Sequence, residues 1–308
     1  MVEAPIALFV YNRPEHARRT LEALSRNDGA ERSCLYIFAD GLAQEADAMD
    51  RRNHREVRRL IRERPWCGRV EIIEADVNRG LKESICTGIS RVLESYDRVI
   101  VLEDDIEISP GFLRYMNGAL DLYADEDQVF QISGFMVKNW PWIQSTGFLR
   151  VSTSWGWGTW RRAWKHYRAD AENLLIEVGR KGRTQFDLDG YSFHFEELER
   201  NVRGELNTWA VRWYASIFLL NGLCLYPRKT LVRNIGFDGS GVHCHNDKMR
   251  YHRRLRLARN VEPERRCISE DKAYLKAIQA HYRETLRVWT HTRVRDRLLR
   301  RLRWPLAR

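Results

Sequence analysis

The sequence predicts an α/β protein: a Rossmann-like, mostly parallel sheet flanked by helices, followed by a helical and mixed second half. Three observations predict it. Short apolar runs alternate with amphipathic stretches as far as Leu102, each run ends in a polar or glycine-containing turn, and the alternation stops near residue 135. Strands that read as unbroken apolar runs are covered on both faces, and strand–helix alternation calls for parallel pairing through right-handed crossovers.

The first run, Ile6 to Tyr11, turns at Asn12-Arg13-Pro14 into a helical pattern with Ala17, Leu21 and Leu24 on one face. The second, Leu35 to Ala39, stops at Asp40-Gly41, and the charged stretch from Asp47 to Arg64 reads as a solvated helix with Val57, Leu60 and Ile61 inward. Val70 to Glu74 is a third strand, Asn78-Arg79-Gly80 a turn, and Leu81 to Leu93 a helix carrying Ile85, Ile89 and Val92 inward. Val99 to Leu102, apolar throughout, is a central fourth strand. Ligands in such sheets bind beyond the strand C-termini, so these four polar ends are predicted to line one crevice.

Tryptophan and glycine then cluster in Trp140-Pro141-Trp142 and from Ser154 to Trp160. Helices are predicted near Thr159 to Tyr167, Phe193 to Val202 and Thr208 to Leu220, with short strands at Leu223 to Tyr226 and Leu231 to Arg233. The boundaries implied are 1–135 for the α/β half, 136–265 for the opposite side of the cleft, and 266–308 for a basic helical tail.

With 308 residues and 44% hydrophobic content the chain can bury a full core, which excludes a disordered protein. No apolar run is long enough to span a bilayer, and Met1-Val2-Glu3 leads directly into a strand, so a cytoplasmic protein is expected. The six cysteines form no CxxC pair, which argues for free thiols rather than a zinc knuckle or disulfide framework. From His281 onward nine arginines face only Glu284 and Asp296, which accounts for seven of the ten net positive charges.

The residues that carry chemistry begin with Glu103-Asp104-Asp105. Three consecutive carboxylates repel one another at low dielectric unless a cation or donor groups compensate them. A hard divalent ion such as Mn²⁺ or Mg²⁺ accepts one or two of them and completes its shell with water and substrate phosphates. The alternative is an acidic turn capping the helix that begins near Pro110-Gly111-Phe112.

The segment from Val101 through Glu103, Asp104 and Asp105 to Pro110 and Phe112 resembles the acidic metal motif of GT-A glycosyltransferases, most closely that of the N-acetylglucosaminyltransferase I family. Tyr11 to Pro14, Phe38 to Gly41 and Ser154 to Trp157 follow the same order. Bacterial family 2 glycosyltransferases of surface-polysaccharide pathways are similar through Asn207-Thr208-Trp209 and Asn234 to His243 as well. The resemblance covers roughly residues 4–246 and implies a metal-dependent, inverting transfer from a nucleotide sugar, a UDP-sugar foremost, to a glycan or lipid-linked acceptor. Residues 1–135 would bind the donor and 136–265 the acceptor.

The resemblance implies Asp105 as metal ligand, Asp104 facing ribose or metal waters, and Glu103 the donor sugar. It aligns Arg13 with a nucleotide contact, for which a surface ion pair is an equal alternative, and Asp40 with an acceptor for the base, against a plain turn residue. Asn78, Arg79 and Lys82 are second-rank donor contacts or an ordinary helix-entry turn. Trp155 and Trp157 are candidates for stacking on a sugar, whereas Trp160 and Trp164, at helical spacing, are expected in the core.

Related sequences often place a base after the tryptophan of Asn-x-Trp, yet Ala210 stands here, which turns attention to Asp238 or Glu205. His243 and His245 follow a glycine-flanked loop; His243 is a candidate ligand and a structural role is as good an account. In the tail, Leu286, Trp289, Val294, Leu298 and Leu302 fall near helical spacing among arginines, either as an interfacial helix on the anionic inner face of the plasma membrane or as a helix packed on the body. No nucleic-acid motif accompanies the charge. Rival readings are a sugar nucleotidyltransferase, whose glycine-rich phosphate loop is missing after the first strand, and a non-catalytic glycan- or membrane-binding relative.

Overall fold

The four predicted strands form one parallel block, β1 (Ile6–Val10), β2 (Cys34–Ala39), β3 (Arg69–Glu74) and β4 (Arg98–Glu103), in the spatial order β3-β2-β1-β4. The computed structural model describes residues 3–239 and 255–284. Between these strands run α1 (Pro14–Ser25), α2 (Ala48–Leu60) and α3 (Leu81–Ser95), within a residue or two of the predicted helices at most ends. Asp47 starts α2 by accepting from Asp50 N at 2.8 Å, which satisfies one of the amides that a helix start leaves open. The predicted inward faces are buried: Ala17, Leu21 and Leu24 on α1, Val57 and Leu60 on α2, Ile85, Ile89 and Val92 on α3.

The sheet continues past β4 without a break at residue 135. In chain order the following elements are β5 (Ile106–Ile108), α4 (Phe112–Leu122), β6 (Val129–Ser133), β7 (Gly147–Leu149) and β8 (Trp157–Trp160). After them come α5 (Arg161–Trp164), α6 (Ala171–Phe186), α7 (His194–Val202), α8 (Ala210–Leu219), β9 (Leu223–Tyr226) and β10 (Val232–Asn234). The eight-stranded order is β3-β2-β1-β4-β8-β6-β9-β7, in which β8 and β7 run against the other six. β5 and β10 form a separate antiparallel pair. The α/β class with a mostly parallel sheet is therefore as predicted.

One predicted helix is corrected. Trp157 to Trp160 is a strand, paired with β4 on one side and β6 on the other, and only Arg161–Trp164 is helical. The spacing of Trp160 and Trp164 fits a helix, but an aromatic and β-branched run also suits a pleated surface, and periodicity cannot see the two strands that satisfy its backbone. Both rings are in the core as expected, 3% and 6% exposed.

Beyond β10, residues 272–284 are helical and seat Tyr274, Ala277 and Ile278 in the core. The predicted interfacial face, Leu286 through Leu302, lies outside the described residues. No helix among the described residues is long and apolar enough to cross a membrane. Of the thiols, Cys67 and Cys224 are buried and Cys267 is exposed, all free.

Candidate active site

The acidic triplet closes β4 and leads into β5, and the order of strands decides what it meets. β1 is the hydrogen-bonded neighbour of β4, with Phe9 opposite Glu103, so the residue that starts α1 is carried to the same edge. Arg13 Nη2 donates to Asp104 Oδ1 at 2.5 Å and Nη1 to Asp105 Oδ2 at 3.0 Å. Both aspartates are buried, and both backbones are pinned: Thr20 Oγ1 donates to the Asp104 carbonyl and Ile235 N to that of Asp105, each at 2.8 Å.

The triplet does not cap the following helix. Leu113 N at the start of α4 is taken by Asn27 Oδ1 at 2.9 Å, and no side-chain cap is found at its N-cap, Gly111. The three carboxylates are instead held together against one guanidinium. Loss of solvent, then the charges of Asp105 and Asp104, push the Glu103 carboxyl up to about 8. Burial raises Asp104 as well, although Arg13 opposes it. Burial works against the Arg13 charge too, but Asp104 and Asp105 overcome it and hold the guanidinium above its ordinary value.

A group this short of positive charge, offering only oxygen donors, fits a hard divalent cation. Asp104 and Asp105 would hold it. Among the described residues no three His, Cys, Asp or Glu side chains are grouped to bind a metal, so the remaining ligands would come from substrate oxygens and water.

The loop after β10 closes on this cluster. Gly236 is required there, because a Cβ would lie 2.3 Å from Asp105 Oδ2 and 3.0 Å from Arg13 Nη1. Two residues on, Asp238 Oδ2 meets His16 Nε2 of α1 at 3.0 Å. The structure therefore brings Arg13, Glu103, Asp104, Asp105 and Asp238 together. His243 and His245 lie outside the described residues.

A second group forms at the ends of β2 and β3. Asp40 Oδ1 accepts from Gly41 N and Arg79 N at 2.8 and 2.9 Å, and Oδ2 from Gly80 N and Asn78 Nδ2 at 2.9 and 3.1 Å. Gly80 adopts φ +78° there, a left-handed conformation in which glycine is favoured. With four donors the carboxylate is filled, which departs from its expected role as acceptor for a nucleotide base. Asp40 fastens the two loops. Asn78 and Arg79 are exposed and Lys82 half-buried on the first turn of α3.

The tryptophan motif divides. Trp155 is partly buried, with its ring edge-on to Phe135 at 4.5 Å and to Phe237 at 5.6 Å. Trp157 is fully buried, stacks on Trp209 at 5.3 Å and leaves its indole N–H without a hydrogen-bond partner among the described residues. Its expected place in the cleft is corrected: β8 lies inside the sheet between β4 and β6 and is buried along its whole length, and Trp157 packs also with Trp164 and Trp213.

Trp155 also walls a cavity of about 360 Å³, lined further by Phe135, His194, Glu197, Ala210 and Tyr214. Phe237 follows Gly236, so the cavity and the acidic cluster are separated by one aromatic contact. Glu205 is not part of it. That side chain is about half exposed and paired with Arg200 and Arg203 at 3.1 and 2.6 Å, and hydrogen bonds from Arg203 and Arg200 hold its carboxyl below the usual range. Engaged by two arginines at the surface, Glu205 is not brought to the cavity lining or the acidic cluster.

The carboxylate in the cavity is Glu197 of α7, which sequence reasoning passed over. Its Oε1 accepts from Thr208 Oγ1 at 3.1 Å, and burial raises its carboxyl despite that bond and Arg200. Beside it, burial pushes His194 down to about 4, so the imidazole is neutral near pH 7. Nothing in the sequence separates Glu197 from Glu196 and Glu199; the packing of α7 on the segment before α8 does.

No protein-family model matches the chain. Among solved structures it is similar to the mannosyltransferase PcManGT from Pyrobaculum calidifontis in complex with GDP-Man and Mn²⁺, at 10% identity over 71% of this chain and 69% of that one, with a TM-score of 0.40. It is also similar to TarS residues 1–349 from S. aureus, at 11% identity over 75% of this chain, with a TM-score of 0.42; this chain spans 59% of that one. Likeness at this level leaves the chemistry to be read from this chain's own side chains.

Proposed function

We propose that this protein is a metal-dependent, inverting glycosyltransferase that moves a sugar from a nucleotide sugar, a UDP-sugar foremost, to a glycan or lipid-linked acceptor in surface-polysaccharide synthesis. The observation that supports it is the under-neutralised triplet Glu103-Asp104-Asp105, bound by Arg13 where parallel strands β1 and β4 end. Asp104 and Asp105 would hold a divalent ion, which would supply charge for a diphosphate, an effect worth several kcal/mol where negative charge grows on a leaving group.

The chain's own residues do the rest in this reading. Arg13 orients both aspartates, Gly236 admits the β10 loop to within contact of them, and the exposed Arg79 and half-buried Lys82 offer cations to phosphate from the β3 side. Residues 1–135 serve the donor and 136–265 the acceptor. A cytoplasmic location, with the basic tail near an anionic membrane, completes the proposal. Polar strand ends without a glycine-rich phosphate loop after β1 count against the nucleotidyltransferase reading.

Thermal shift of the purified chain over a panel of nucleotide sugars, with and without Mn²⁺, tests it. The expected result is a Mn²⁺-dependent shift for at least one donor, lost together with turnover in Asp105→Ala. Wild-type turnover in that variant would sink the assignment of Asp105, and no shift with any donor would sink the transferase reading.

A further inference from the structure

The cavity behind Trp155 combines features that the donor site does not use. Its wall is aromatic, with Phe135, Trp155 and Tyr214, and such faces pack against the apolar face of a pyranose ring. It adjoins the acidic cluster through the contact of Trp155 with Phe237, one residue from the glycine that touches Asp105. It contains one carboxylate, Glu197, of which Oε1 is committed to Thr208 and Oε2 has no hydrogen-bond partner among the described residues. Ala210, the first residue of α8, lines the same space and presents only a methyl group.

Resting on the glycosyltransferase reading, we propose that this cavity is the acceptor site, that it takes a pyranoside against its aromatic wall, and that Glu197 is the catalytic base. The acceptor hydroxyl oxygen forms the new bond to the anomeric carbon of the donor sugar. The bond from that carbon to the nucleoside diphosphate breaks, with its electron pair leaving on the diphosphate. The hydroxyl proton passes to Glu197 Oε2, which becomes a carboxylic acid and later returns the proton to water. The glutamate reaches the cavity from α7, the helix beside α8, and so supplies the carboxylate that position 210 lacks.

The surroundings suit that task. Thr208 holds one oxygen and fixes the carboxylate plane, while withdrawal from water keeps the proton affinity of Glu197 above that of a surface glutamate. A base works best with a proton affinity near that of its medium. The groups that bear on it are Arg200 on its own helix, Thr208 before α8, His194 at the start of α7, Tyr214 on α8, and His281 and Tyr282 from the last described helix. His194, neutral near pH 7, adds no charge there.

The experiment uses the full chain with Mn²⁺, a panel of nucleotide sugars, and p-nitrophenyl glycosides as acceptors, with donor hydrolysis read where no glycoside accepts. Glu197→Gln keeps an oxygen for Thr208 and should leave the donor thermal shift unchanged. It should lower kcat by about 100-fold or more, the usual worth of a positioned base, and remove the acid limb of the rate profile, which in the wild type sits above the ordinary carboxylate range.

Adding Ala210→Asp to that variant should restore at least about 10-fold of the lost rate if a carboxylate in this cavity is what matters. Wild-type kcat and an unchanged pH profile in Glu197→Gln would overturn the assignment, as expected if the residue only tethers Thr208. Donor binding by the wild type with neither transfer nor hydrolysis would overturn it too. Failure of the wild type to bind any donor would remove the transferase reading, and this assignment with it.

Discussion

Replacing Arg13 by alanine tests the electrostatic account of the acidic site directly. Its guanidinium serves two carboxylates whose side chains are 6% and 9% exposed, at 2.5 and 3.0 Å. Removing one partner of a buried ion pair leaves uncompensated charge and typically costs about 3–5 kcal/mol. For a chain of this length each kcal/mol moves Tm by about 2 °C, so a loss of about 6–10 °C is expected.

Two further readouts separate charge from simple loss of packing. Mn²⁺ should stabilise the variant more than the wild type, because Asp104 and Asp105 no longer have a competing cation; at about 100 times its Kd the ion contributes about 2.7 kcal/mol. The deficit should also narrow as pH falls. Glu103 is raised from 4.5 to about 8 in the folded chain, so its contribution is fully present below 4.5 and is lost as pH rises through 8; removing Arg13 raises that carboxyl further. Differential scanning fluorimetry over pH, with and without Mn²⁺, reads all three effects. A Tm within about 1 °C of wild type, or an equal Mn²⁺ shift in both proteins, would refute the reasoning.

Other outcomes follow from the same geometry. Gly236→Ala places a methyl 2.3 Å from Asp105 Oδ2, so the Arg13–Asp105 contact must open; donor-dependent thermal shifts should weaken at least about 10-fold in apparent affinity, since the carboxylate is moved from the geometry that binds. Trp157→Ala empties the centre of the indole cluster and should cost about 3–5 kcal/mol in urea unfolding, which a cleft residue would not. His194 is depressed from 6.5 to about 4 by burial, so the unfolded chain takes up a proton that the folded chain does not. Its contribution, at most about 3 kcal/mol, is present above 6.5 and lost as pH falls toward 4; His194→Phe should flatten that limb, and an unchanged slope would count against it.

How much of this was legible in the sequence depended on range. Strands β1 to β4 and their helices are local patterns, and the triplet after Leu102 stands out because three carboxylates directly follow an apolar run. The pairing of Arg13 with Asp104 spans 91 residues and exists only because β1 and β4 are neighbours, which no local pattern states. Asp40 was visible as a strand-end aspartate, but its four donors come from two loops that meet only in the folded sheet. α6 went unread because Gly179 and Gly182 interrupt its amphipathic pattern, and Gly182, at φ +153°, does kink it. Trp157 misled for the opposite reason: its motif suggested a sugar contact, while the place of β8 between β4 and β6 puts it in the core.

The position of the acidic site follows from the winding of the sheet. The chain moves from β1 outward to β2 and β3, then returns to place β4 on the other side of β1. Loops leaving β1 and β4 therefore start side by side at neighbouring strand ends, the usual ligand position in such sheets, with Thr20 of α1 bonded to the Asp104 carbonyl. Arg13 stands on one lip and Asp104-Asp105 on the other, and β5 with β10 folds Gly236 across the gap. The antiparallel strand β8 then lies between β4 and β6, so Trp155, just before it, is carried to the opposite side of the crevice, where the cavity of Glu197 begins. A donor at the switch point and an acceptor behind Trp155 would thus meet at one boundary. Trp155 and Phe237 form that boundary, so changing either should alter transfer more than donor binding.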